Sequence, residues 1–70
     1  MTDANLLKKK IEESGLQQKF IYTELGISRF TWYKKRDGVV DFKASEIQTL
    51  CRLLGITALR EKEQIFFAKM

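Results

Sequence analysis

The chain of 70 residues has no proline and no histidine, one cysteine and only four glycines. Without proline no helix is broken from within, so the turns must be made by other residues. Without histidine, the lone Cys51 can belong neither to a Cys/His zinc site nor to an internal disulfide. No apolar run approaches the roughly 18 residues of a membrane span, and Met1 to Asn5 lacks the charged-then-apolar layout of a signal peptide. The expected location is the cytoplasm, with no membrane partner. A Gly-rich phosphate loop is also missing, and Glu12 and Glu13 are sequence neighbours that diverge on a helix instead of facing one substrate. Ser14 and Ser45 have no general base nearby in the chain. A chain this short also struggles to enclose a water-excluding pocket. The expectation is therefore a non-enzyme without cofactor, metal or small-molecule substrate.

What is present is the composition of a folded domain. Hydrophobic residues make up 44% and charged ones 31%, too apolar for a disordered tail and too charged for a membrane protein. One domain over residues 1–70 is expected. A chain of this size buries only about 60% of the surface its unfolded form exposes. With no staple to help, helix packing and self-association are expected to supply the stability. Thirteen basic residues against nine acidic ones leave a net charge of +4, which favours a polyanionic partner.

Gly15, Gly26, Gly38 and Gly55 each follow a stretch with helical apolar spacing, so they divide the chain into short helices joined by tight turns. In the first stretch Leu7 and Ile11 face a core, while Lys8, Lys9, Lys10, Glu12 and Glu13 occupy solvated sides. The second, Gln17 to Leu25, places Ile21 and Leu25 one turn apart. The third starts at Ser28, whose hydroxyl suits an N-cap, and runs to about Arg36. The fourth carries Ile47, Leu50, Cys51 and Leu54 on one stripe. From Thr57 to Met70 a short fifth helix is favoured over a strand, and Ile65, Phe66 and Phe67 must pack in the domain's own core or on a second subunit. The fold class is all-α, a compact four- or five-helix domain.

Two short helices across a glycine-containing turn form the helix-turn-helix layout, here over about residues 17–36, in which the second helix enters the DNA major groove. That second helix reads Ser28-Arg29-Phe30-Thr31-Trp32-Tyr33-Lys34-Lys35-Arg36 and carries four cations and no acid. Trp32 is expected to anchor it to the core. Arg29, Phe30 and Tyr33 are the candidates for reading bases, because Arg pairs with guanine, an aromatic ring meets a thymine methyl and a phenol donates a hydrogen bond. Lys34, Lys35 and Arg36 suit sequence-independent phosphate contacts, and Ser28 joins them at the helix start.

The runs Gly15-Leu16-Gln17-Gln18, Leu25-Gly26-Ile27-Ser28-Arg29, Gly38, and Leu50-Cys51-Arg52-Leu53-Leu54-Gly55-Ile56 resemble the lambda-repressor-like domains of the Xre and Cro group. The likeness covers about residues 6–56. The ending Glu63-Gln64-Ile65-Phe66-Phe67 is similar to small Cro-like regulators of Gram-positive phages. The resemblance implies that Gln18 holds a phosphate and that Arg29, Phe30 and Tyr33 fall on base-reading positions. It departs from the group's pattern at Tyr22, where a small residue is usual, at Gln17 and Phe20, which replace a capping serine and its acidic partner, and at Lys35, where an apolar residue is common. The expected function is sequence-specific binding of double-stranded DNA as a Cro-like transcriptional repressor. A homodimer on a palindromic operator is expected, because one copy reads only a handful of base pairs. The rival expectation is a protein-interaction module, such as an antirepressor or adaptor.

Overall fold

Five helices follow one another in the computed structural model, which describes residues 1–68: α1 (Ala4–Ser14), α2 (Gln18–Leu25), α3 (Arg29–Arg36), α4 (Ala44–Leu54) and α5 (Leu59–Phe66). No strand occurs among the described residues. The tail expected as a helix is one, with Lys69 and Met70 lying outside the described residues. No described helix is long and apolar enough to cross a membrane.

Each boundary has a local cause. Asp3 caps α1 by accepting from the Leu6 N–H at 3.1 Å, and Ser28 caps α3 by accepting from the Thr31 N–H at 3.1 Å; both satisfy donors that a helix start leaves open. Between α2 and α3 the chain turns in three residues. Gly26 takes φ 72°, its N–H donates to the Thr23 carbonyl, and the Ile27 N–H donates to Tyr22. That double closure requires a left-handed residue, which glycine adopts without a Cβ clash.

The helices wrap one core of Leu7, Ile11, Ile21, Trp32, Phe42, Ile47, Leu50, Ile56, Ile65 and Phe66. Trp32, on α3, lies 6.0 Å from the Phe42 ring, and Phe42 meets Phe66 of α5 edge-on at 5.7 Å. The Phe42 loop thus ties α3 to α5 through aromatic packing. The chain's first residues fasten to the far end of α5: the Asp3 N–H donates to Ile65 and the Ala68 N–H to Met1. Ile65 and Phe66 fill the core, whereas Phe67 and Leu59 of the same segment stand exposed. The tail therefore divides its large apolar residues between the core and the surface.

Candidate nucleic-acid interface

A helix of eight residues packed on a core offers it only part of its circumference. On α3 the buried residues are Trp32 and Lys35, spaced i, i+3 and so on one side. The remaining arc carries Arg29, Phe30, Tyr33 and Lys34, all exposed. Phe30 is 69% exposed and Tyr33 41%, values that place both rings outside the core. The Lys34 ammonium lies 4.5 Å over the Phe30 ring, and the Arg36 guanidinium 4.7 Å over the Tyr33 ring. These one-turn pairs hold each ring beside a positive charge.

Lys35 departs from its expected place among outward-facing phosphate contacts. It is 6% exposed, and its Nζ lies 2.6 Å from Oε1 of Glu46, itself 7% exposed. The cause is position: three residues after Trp32, Lys35 is carried inward against the first turn of α4, where only a carboxylate makes its charge tolerable. Glu46 also accepts from the Lys43 N–H at 2.8 Å, closing the start of α4. Burial on its own would raise the Glu46 carboxyl; the Lys35 ammonium and the Lys43 N–H outweigh it and hold the group below its ordinary value.

Arg36 is committed as well. Its Nε and Nη2 donate to the two oxygens of Asp37 at 3.0 and 3.3 Å, and its Nη1 donates to Oε1 of Gln18 at 2.7 Å. Lys8 of α1 also reaches Oδ1 of Asp37, at 3.2 Å. The Arg36 hydrogen bond, supported by Lys8, holds the Asp37 carboxyl below the usual carboxylate range. Of the four cations on α3, only Arg29 and Lys34 form no ion pair among the described residues.

Gln18 opens α2 and is exposed. Its Oε1 accepts two hydrogen bonds, from the Trp32 indole at 2.9 Å and from Arg36. Ser28 is occupied by its cap, its hydroxyl also donating to Thr31 Oγ1 at 3.0 Å. Past α3, Val39 and Val40 are 74% and 44% exposed, and both their N–H groups close on the Lys34 carbonyl. Sequence reasoning did not single out these valines, Asp37 or Glu46. For Asp37 and Glu46 a signal existed: each acid stands beside, or opens the helix after, a run of uncompensated cations.

No family model matches the chain, and neither does any curated protein or solved structure.

Proposed function

We propose that this chain binds double-stranded DNA sequence-specifically, as a helix-turn-helix regulator of the lambda-repressor-like kind acting as a Cro-like repressor. One observation carries the reading: the solvent side of α3 presents Arg29, Phe30, Tyr33 and Lys34 together with no acid among them, one three-residue turn after α2. In this reading α3 lies in the major groove. Arg29 donates its fork to a guanine, Phe30 packs on a thymine methyl, and Tyr33 donates to a base or phosphate. Lys34 and Gln18 hold phosphates on either side and set the register. Lys35 has no part, and Arg36 acts by ordering Tyr33, Asp37 and Gln18. The resemblance of residues 6–56 to the Xre and Cro group points the same way.

Two copies are required for useful affinity, because half-sites about 34 Å apart are read by paired domains. The exposed Leu59 and Phe67 of the α5 segment are the contact assigned to the second copy.

The test is selection of the purified protein on a randomised duplex library, followed by anisotropy on the selected site across a salt series. The expected result is an inverted repeat bound with a steep salt slope. Binding that stays at the non-specific level, roughly 10⁻⁴ to 10⁻⁶ M, would overturn it. The exposed Phe30, Val39 and Val40 favour one rival, an antirepressor or adaptor that buries this surface on a protein. That rival predicts Arg29→Ala to leave DNA behaviour unchanged while partner binding is lost.

A further inference from the structure

Gln18 carries one acceptor and two donors at the end of its side chain, and which of them faces outward is decided by its neighbours. Both neighbours are donors only. An indole N–H and a guanidinium N–H each need an oxygen, so both must lie on Oε1, at 2.9 Å and 2.7 Å. A carboxamide oxygen has two lone pairs, and this one uses both. The amide plane is therefore set, with Nε2 directed away from the pair. Its two N–H donors have no partner among the described residues. Trp32 supplies its half of this arrangement from a position of zero exposure, anchored on Phe42, and Arg36 is braced by Asp37, which Lys8 also contacts. Gln18 lines an open hollow between α1 and α2 of about 570 Å³, together with Lys8, Glu12 and Gln17.

We propose that Trp32 is a positioning residue: its buried indole N–H, with Arg36, holds the Gln18 carboxamide with its donors outward, so that this side chain meets a DNA phosphate with N–H and not with oxygen. The inference rests on the DNA-binding reading above and adds a second duty to a core residue. A carboxamide free to flip must be ordered when the phosphate arrives. A held one presents only donors, and its order is established before binding instead of being lost on binding.

The experiment is a double-variant cycle on the duplex site selected above. Affinity is measured for the wild type, Gln18→Ala, Trp32→Phe and the double variant, with the exchange rate of the Trp32 indole proton followed in the free protein. A synthetic chain with benzothienylalanine at position 32, the same ring shape with sulfur replacing N–H, separates loss of the donor from loss of volume. The expected result is a slowly exchanging indole proton in the wild type. Binding should weaken about 2- to 10-fold when the donor is removed, the worth of one hydrogen bond, with no further loss when Gln18 is already alanine. If the sulfur isostere binds like the wild type, or its loss adds in full to that of Gln18→Ala, Trp32 does not act through Gln18. The positioning role is then overturned while DNA binding stands. A wild type that binds no duplex overturns both, and is told apart because it fails before any substitution is made.

Discussion

The inward and outward sides of α3 are built from the same kinds of residue and behave in opposite ways. Each has an aromatic ring and a lysine: Trp32 and Lys35 on one side, Phe30 and Lys34 on the other. Inward, the ring has no exposure and the ammonium is matched by Glu46. Outward, the Phe30 ring is mostly exposed and the Lys34 ammonium lies over it, with no ion pair to Lys34 among the described residues. The contrast shows that a run of cations is not a measure of a binding surface. Half of the α3 charge is paired within the chain, Lys35 buried on Glu46 and Arg36 on the exposed Asp37, and the cations with no ion pair among the described residues are Arg29 and Lys34.

Breaking the inward side should cost the fold. Trp32→Ala removes the largest fully buried side chain and should lower unfolding stability by about 3–5 kcal/mol. Urea denaturation should show the loss, and chain that remains folded should bind DNA about 2- to 10-fold more weakly because the indole donor to Gln18 is gone as well. Glu46→Ala should follow at about 3 kcal/mol, because it leaves the Lys35 ammonium buried without a counter-charge and opens the start of α4; replacing both partners with methionine should restore most of it. The same pair sets an acid limit. The Glu46 carboxyl lies lower in the folded chain than its ordinary 4.5, so its contribution is complete above that pH. It is lost as pH falls through the folded value. Thermal melts between about pH 6 and pH 3 should show this fall, and Glu46→Gln should reduce it to the part that Asp37 contributes.

Breaking the outward side should leave the fold intact and alter recognition. Arg29→Ala should shift the melting temperature little, yet cost about 1–3 kcal/mol of discrimination at one base position of the selected site. The smallest change is expected for Lys34→Gln: binding weaker to every sequence alike, and the slope of log affinity against log salt shallower by about one. If Lys35→Gln gave that salt signature on a stable fold, the division between the two sides would be wrong.

Much of the frame was legible in the residues. The glycine positions marked the helix ends, Ser28 marked the start of α3, and the Ile47, Leu50, Cys51 and Leu54 stripe marked the inner side of α4. Phe30 and Tyr33 were expected on the surface and are there. Lys35 was not legible from composition, since a lysine in a basic run is ordinarily solvated; its three-residue spacing from Trp32, and the apolar residue common at that position in the group the chain resembles, pointed inward. Arg36 misled for a similar reason, its acidic partner being the very next residue, which helical spacing alone would not pair with it.

The sequence by itself determined the first four helices, the turns between them and the apolar stripes, and favoured the fifth helix over a strand, because those depend on signals acting over one turn of helix: a left-handed glycine, a capping hydroxyl, an i, i+3, i+4 spacing. Only the tertiary structure decided which cations stay available and which way Gln18 faces. Those outcomes rest on partners 11, 14 and 18 residues apart in the chain. No local rule relates such residues; packing the helices on one core brings them to hydrogen-bonding distance, and burial makes the Lys35–Glu46 pairing obligatory.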